Sequence, residues 1–266
     1  MSKTIIITGS TDGIGKLTAL SLAKQGHTIY VHGRSEAKVS TVVSELKEAS
    51  NNQNIKGLVA DFSDLEAVSK LAEQIKTDIP KIDILINNAG IFKTKDVQNK
   101  NGLDIRMVVN YLAPYVLTNA ILATIKNAEA SRIINLSSAA QAPISEAVLI
   151  GKEQDSENST YAQSKLALTM WSFHLAKQEP NMTVIAVNPG SLLNTKMAKE
   201  AYGQHWSPAE KGVDILYDLA LSENHKNNSG KYFDNDKGAF GKAHNDVYDR
   251  EKIDKLIAET NQILNN

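Results

Sequence analysis

Lys3-Thr4-Ile5-Ile6-Ile7-Thr8-Gly9-Ser10-Thr11-Asp12-Gly13-Ile14-Gly15-Lys16-Leu17-Thr18-Ala19-Leu20-Ser21-Leu22-Ala23 reads as strand, glycine turn and helix. The β-branched run Ile5 to Ile7 has the character of a strand buried on both faces of a parallel sheet. Ile14, Leu17, Leu20 and Leu22 recur at nearly helical spacing. Between them, Gly9, Gly13 and Gly15 let the backbone approach a pyrophosphate. The free N–H groups and dipole of the following helix start favour negative charge there. A P-loop is excluded, because Ser10 stands at its first glycine position and Leu17 where Ser or Thr is needed. The G-x-G-x-x-G fingerprint is excluded too, with Thr18 in place of its third glycine. What stands is Thr8-Gly9-Ser10-Thr11-Asp12-Gly13-Ile14-Gly15, which taken alone is also compatible with a tight turn that binds nothing.

Strands and helices alternate outward from this unit, which predicts a parallel sheet covered on both faces. Strands are expected at 28–32, 55–60, 82–86, 131–136 and 182–188, with a short last one at Tyr232-Phe233. Val39, Val42, Val43 and Leu46 mark a helix over 36–49, and Ser63 with Glu66 suggests a capping box for the next. A long helix is expected over 102–127 and another over 159–177. No linker, repeat or composition break divides the 266 residues. The expectation is one doubly wound, Rossmann-type α/β domain over 1–266, with about seven strands and helices on both faces.

Composition narrows the function. Net charge is −1, from 29 Lys+Arg against 30 Asp+Glu, with no basic run, so nucleic acid is not an expected partner. The absence of cysteine removes disulfides, thiol catalysis and thiolate metal sites. Six scattered histidines contain no H-x-x-x-H pair, so no metal site is expected. No stretch approaches a membrane span or a signal peptide, and a cytoplasmic location is the expectation.

Ligands of such sheets bind beyond the carboxyl ends of the strands. Gly9 to Gly15, Arg34, Asp61, Asn88-Ala89-Gly90, Ser138 and Pro189-Gly190 all follow strands. Asn87 to Gly90 could equally tie strand ends together. Tyr161 and Lys165 are one turn apart on a helix and share a face. Bringing a phenol from a pKa of about 10 to neutrality needs about 4 kcal/mol of preference for phenolate. A neighbouring ammonium supplies much of that and makes Tyr161 a usable general acid/base. Ser138 would hold the reacting oxygen. Pro114 deprives the Asn110 carbonyl of its helical partner, freeing it for a water that relays protons through Lys165, or else it simply kinks the helix. Strand two ends Val31-His32-Gly33-Arg34, without a carboxylate for the ribose 2′-hydroxyl and with an Arg suited to a 2′-phosphate. That favours NADP(H) over NAD(H), although Asp12 weighs the other way.

Thr8 to Gly15, Asn87 to Gly90, Asn110, Ser137-Ser138, Tyr161-Ala162-Gln163-Ser164-Lys165 and Asn188-Pro189-Gly190 occur in the order of the short-chain dehydrogenase/reductase superfamily, which the chain resembles over most of its length. His32-Gly33-Arg34-Ser35, Tyr111-Leu112-Ala113-Pro114 and Ser229-Gly230-Lys231-Tyr232-Phe233 look most like its retinol-dehydrogenase-like branch. The resemblance implies a catalytic tetrad of Asn110, Ser138, Tyr161 and Lys165, with Lys165 also on the nicotinamide ribose. It implies cofactor contacts from Gly9, Thr11, Gly13, Ile14, Gly15, Arg34, Asp61, Phe62, Asn88, Ala89, Gly90, Tyr161, Lys165, Pro189, Gly190, Leu192 and Thr195. It also implies a homodimer or homotetramer built through the helices of Asn110 and Tyr161. The polar segment between Ser138 and Tyr161 is about ten residues longer than in compact members of the superfamily.

The expected activity is hydride transfer between a nicotinamide cofactor and an aldehyde, ketone or matching alcohol, as in a carbonyl reductase. No G-x-S-x-G occurs, which discards a serine hydrolase, and the chain leaves little room for the larger substrate domain of a sugar epimerase. A non-catalytic dinucleotide sensor or scaffold is the rival, and the complete tetrad argues against it. In 191–207, Leu192, Leu193, Met197, Ala198, Ala201, Tyr202 and Trp206 give an apolar face at roughly helical spacing. That segment reads as a lid over an apolar substrate, or as an ordinary surface helix.

Overall fold

A computed structural model describes residues 1–265, apart from the side chain of Tyr202. Its sheet has the strand order β3-β2-β1-β4-β5-β6-β7-β8. The strands are β1 (Thr4–Ile7), β2 (Thr28–Gly33), β3 (Ile55–Val59), β4 (Ile84–Asn87), β5 (Arg132–Leu136), β6 (Thr183–Asn188), β7 (Lys231–Asp234) and β8 (Ala239–Gly241). The first seven run parallel, and β8, which the sequence reading lacks, closes a hairpin antiparallel to β7. Strand order reverses between β1 and β4, so the crevice for a ligand opens beside the glycine turn.

Alternation along β1 feeds two cores. Ile5 and Ile7 face one layer with α1 (Gly13–Ala23), α2 (Glu36–Ser50) and, later in the chain, α10 (Ala209–Leu221). Ile6 faces the other, with α3 (Leu65–Asp78) and the helices of Asn110 and Tyr161. All three isoleucines are fully buried, each contributing on the order of 1.5–3 kcal/mol. On α1 the buried face is Ile14, Thr18, Ala19, Leu22 and Ala23, whereas Leu17 points to solvent, against the periodicity read from sequence.

The cap of α3 differs from expectation. Asp64, not Ser63, caps α3, its carboxylate accepting from Glu66 N at 3.0 Å. Ser63 is engaged elsewhere, its N and Oγ both donating to Asp61 Oδ1 at 2.9 and 2.8 Å.

The long helix expected over 102–127 is broken into pieces. Gly102 has φ +75°, and helix begins only after Asp104, with α4 (Ile105–Met107). A π-helical turn follows at Val108–Leu112, then α5 (Ala113–Ala120) and α6 (Leu122–Lys126). Pro114, second in α5, offers no N–H to the preceding turn, and Ala113 N reaches back to Val108 O instead.

The longer segment before Tyr161 forms α7 (Glu146–Leu149) and packs on the start of the Asn110 helix. A Cβ on Gly151 would lie 2.5 Å from Gly102 O. Next come α8 (Glu157–Gln178), which carries Tyr161 and Lys165, and α9 (Lys196–Tyr202). The chain ends in α11 (Arg250–Asn265), packed against α8 and bonded to Tyr111 through Thr260. Among the described residues no helix is long and apolar enough to cross a membrane, and no His/Cys/Asp/Glu cluster could hold a metal.

Candidate active site

The glycine turn is held from both sides. Gly9 and Gly13 adopt φ +62° and +55°, a region that side chains disfavour. A Cβ on Gly9 would sit 2.6 Å from Ala89 Cα, and one on Gly15 2.3 Å from Asn88 Nδ2. Only glycine permits this approach of β1 to β4. Asn88 Nδ2 donates to Thr8 O at 2.8 Å and Gly9 O at 2.9 Å, while Thr8 Oγ1 accepts from Asn88 N and Ala89 N, each at 3.0 Å. Asn87 Nδ2 donates to Asn135 Oδ1 and Thr118 Oγ1. The Asn87 and Asn88 amides therefore tie strand ends together, and Ala89-Gly90 continues the chain along the crevice.

On the far side of the turn stands His32, which the sequence reading quoted in the branch signature at the end of strand two but gave no role at the site. Gly9 N donates to its Nδ1 at 3.1 Å, and its Nε2 lies 3.1 Å from Ala60 O. Burial lowers its pKa to about 4, so the ring is neutral at pH 7. Arg34 is exposed just beyond β2, and Gly33 packs under Thr11, whose Cγ2 would be 2.6 Å from a Cβ there. Asp61 is half-buried and accepts from Ser63, while the Phe62 ring is buried 4.2 Å from that of His32. Ile14 is buried in the first turn of α1.

The second half of the site is built on α8. Lys165 Nζ lies 5.7 Å from the centroid of the Tyr161 ring, whose outer side meets Phe92 at 4.9 Å. Lys165 is buried, donates to Leu136 O at 2.8 Å, and burial pushes its pKa down to about 8. Asn110 sits inside the π turn with no exposed surface. Its Oδ1 accepts from Ile91 N at 2.8 Å, and its Nδ2 donates to Ile91 O and to Ser164 Oγ, both at 3.0 Å. Ser164 in turn donates to Tyr161 O at 2.7 Å. Asn110 therefore joins the loop after β4 to the helix of Tyr161. A Cβ on Gly90 would stand 3.3 Å from Asn110 Oδ1 and 3.4 Å from Lys165 Nζ, so that loop runs directly past both. Ser138 follows β5; its Oγ accepts from Ala140 N, and its carbonyl accepts from Tyr232 OH at 3.0 Å.

After β6, Pro189 and Gly190 (φ +125°) are braced by the β7–β8 hairpin. Asn188 Nδ2 donates to Asp234 and Asp236, and Ser191 N donates to Asp236 Oδ1 at 2.8 Å. Leu192 has φ +48°, and Thr195 caps α9. The two ends of 191–207 are fastened to each other, with Asn194 N on Ser207 O at 2.8 Å and Trp206 N on Leu192 O at 3.2 Å. Leu193 and Ala198 are buried, Leu192, Met197 and Ala201 half-buried, and Trp206 is 67% exposed. Tyr202, also assigned to this apolar face, has its side chain outside the described residues.

The arrangement sets a phenol beside a buried amine, with Gly90 next to that amine and the preceding Ala89 against the glycine turn that opens α1. Known proteins resemble the chain in sequence and in fold. The family model for short chain dehydrogenases matches residues 3–206. Retinol dehydrogenase 13 of Mus musculus is 31% identical over 255 residues, covering 87% of this chain and 75% of its own. Retinol dehydrogenase 12 of the same species is 30% identical, covering 87% and 77%. Polyprenol dehydrogenase of Homo sapiens is 31% identical, covering 74% and 62%. Among solved structures, a short chain dehydrogenase from Escherichia coli CFT073 complexed with NADPH superposes with a TM-score of 0.73 at 25% identity, covering 88% of this chain and 96% of its own. One from Shigella flexneri complexed with NADP gives 0.71 at 26% identity, covering 88% and 97%. With its fold, crevice and Tyr161–Lys165 pair on these terms, the chain belongs to the retinol-dehydrogenase-like branch of the short-chain dehydrogenase/reductase superfamily and is an NAD(P)-dependent oxidoreductase.

Proposed function

We propose that this oxidoreductase uses NADP(H) in preference to NAD(H) to interconvert a largely apolar aldehyde or ketone and the matching alcohol, with Tyr161 as general acid/base. The observation that carries the reading is the placement of Lys165 Nζ 5.7 Å from the centroid of the Tyr161 ring and 3.4 Å from where a Cβ on Gly90 would stand, bonded to Leu136 O at the carboxyl end of β5. The residues present fit a dinucleotide. Gly13, at φ +55° in the turn, lies beside the segment after β6, a Cβ there reaching ordinary contact with Thr195 Cγ2 at 3.8 Å, so the two chain stretches assigned to opposite ends of the cofactor face the same place. Gly9, Thr11, Gly13, Ile14 and Gly15 would hold the pyrophosphate; Asp61 and Phe62 the adenine end; Asn88, Ala89 and Gly90 the nucleoside between; and Pro189, Gly190, Leu192 and Thr195 the nicotinamide end. When bound, the nicotinamide supplies or accepts the hydride at the substrate carbon.

The chain's own residues handle the proton. In reduction, Tyr161 gives its phenolic proton to the carbonyl oxygen as that oxygen gains charge, and Ser138 holds the oxygen in place. The Lys165 ammonium stabilises the phenolate that remains, and Asn110 fixes the loop and helix that carry these groups. Oxidation runs the same steps backward.

Two observations support the finer choices. Arg34 is exposed just past β2 with no acidic residue at that strand end, which suits a 2′-phosphate, and the two solved relatives above carry NADPH and NADP. The half-buried apolar side chains of 191–207 suit a lid over an apolar substrate, and retinol and polyprenol, after which three relatives are named, are both apolar alcohols. With no cysteine and a net charge of −1, we extend the proposal to a cytoplasmic enzyme.

Calorimetric titration with NADPH and NADH tests the first choice, with tighter NADPH binding expected and tighter NADH binding refuting it. A homologous series of alkyl and aryl carbonyls tests the second. kcat/KM should rise with added apolar surface, and a preference for polyols would overturn it.

A further inference from the structure

We propose that His32 is a positioning residue of the dinucleotide site, holding the glycine turn of β1 in register with the ends of β2 and β3. The proposal rests on the reading of Thr8 to Gly15 as that site. His32 is 3% exposed and uses both ring nitrogens. A backbone N–H can only donate, so the Gly9 bond makes Nδ1 an acceptor and leaves the proton on Nε2, which donates to Ala60 O. One tautomer of the neutral ring satisfies both partners.

The backbone of the same residue completes the fastening. Ser10 N donates to His32 O at 2.9 Å, and His32 N donates to Ser10 Oγ at 3.0 Å. Ser10 Oγ itself donates to Ile7 O at 2.6 Å, and Ser10 is fully buried. Gly9 is thereby held between two walls, Ala89 on the β4 side and the imidazole on the β2 side. The second ring nitrogen grips Ala60, which leads directly into Asp61 and Phe62, and the Phe62 ring lies against the imidazole. The adenine end and the pyrophosphate end of the proposed site thus share one side chain that need touch no ligand. Without an acceptor at the Nδ1 position, the Gly9 N–H is left unpaired and the turn relaxes away from the conformation in which its neighbours face the crevice.

Isosteric variants separate this role from general stability. In His32→Asn the amide oxygen falls near Nδ1 and can accept from Gly9, while the bond to Ala60 is lost. In His32→Gln the amide nitrogen falls near Nε2 and keeps Ala60, while Gly9 loses its acceptor. The probe is NADPH, titrated calorimetrically into wild type and both variants, with a thermal melt of each. Asn should bind NADPH within about three-fold of wild type and Gln about ten-fold weaker, the factor expected for one unpaired, part-buried N–H, at similar losses of Tm. Equal affinities in the two variants, or affinities that follow Tm rather than the Gly9 acceptor, would overturn the role of His32 alone. Failure of wild type to bind either NADPH or NADH would overturn the dinucleotide reading with it.

Discussion

Lys165 shows how folding and chemistry compete at one residue. Its ammonium is buried and donates to Leu136 O, and burial lowers its pKa from the ordinary lysine value to about 8. Between about pH 8 and that ordinary value, the unfolded chain binds a proton that the folded chain lacks, so stability rises with pH across this window. Below it the full cost of burying the charge is present, on the order of 3 kcal/mol, against about 1.5–3 kcal/mol returned by a hydrogen bond from a charged donor. Lys165→Met should therefore keep or raise Tm at pH 7, and its advantage over wild type should shrink as pH climbs past 8. Melts of both proteins from pH 6 to 10 check this, and a large loss of stability at pH 7 would contradict it. The same substitution should lower turnover at least ~100-fold, because the phenolate loses its cation. Tyr161→Phe should lose activity to a similar degree while NADPH affinity stays nearly unchanged, since only the hydroxyl is removed from a ring that still packs on Phe92. Initial rates and titrations on both variants read this out.

At the scale of elements, the crevice depends on how the ends of β1 and β4 interlock. Asn88→Ala leaves Thr8 O and Gly9 O without the amide that bridges them and opens a gap beside Gly15. The expected cost is about 1–3 kcal/mol of stability, with weaker NADPH binding, measured by urea unfolding and by titration. Unchanged values in both would show that the turn holds without this brace. The strands themselves were legible because runs such as Ile5 to Ile7 and Ile84 to Ile86 are buried on both faces and carry their own signal. Tyr161 and Lys165 were legible because their spacing on a helix is a local fact. The π turn was only half legible: Pro114 announces a missing bond, but not that the ladder widens at Val108 to Leu112. The Asp64 cap is local, a choice between two neighbouring residues that the sequence offered equally, whereas the brace of Ser191 by Asp236 and the double grip of His32 are settled by distant partners, and no window of sequence contains them.

At the scale of the whole molecule, the last helix changes what the outer faces of the Asn110 and Tyr161 helices can do. Thr260 pairs with Tyr111 OH at 2.7 Å, and Asn261 accepts from Tyr115 OH at 2.7 Å, both tyrosines lying on the helical stretch that follows Asn110. Leu256 is buried in the core formed with α8, and Ile253, Ile257, Ile263 and Leu264 pack against it. Association through those two helices, as the family resemblance implies, would have to displace α11 or build around it. The energetics disfavour displacement, since burying Leu256 contributes about 1.5–3 kcal/mol and the half-buried isoleucines beside it add to that. The full chain is therefore expected to sediment as a monomer at micromolar concentration. Leu256→Ala, which removes the most deeply buried apolar side chain of α11, should cost about 2–5 kcal/mol in urea unfolding. A wild-type chain that sediments as a dimer, and whose hydrogen exchange shows the outer faces of α5 and α8 protected by the second copy, would refute the covering role of α11.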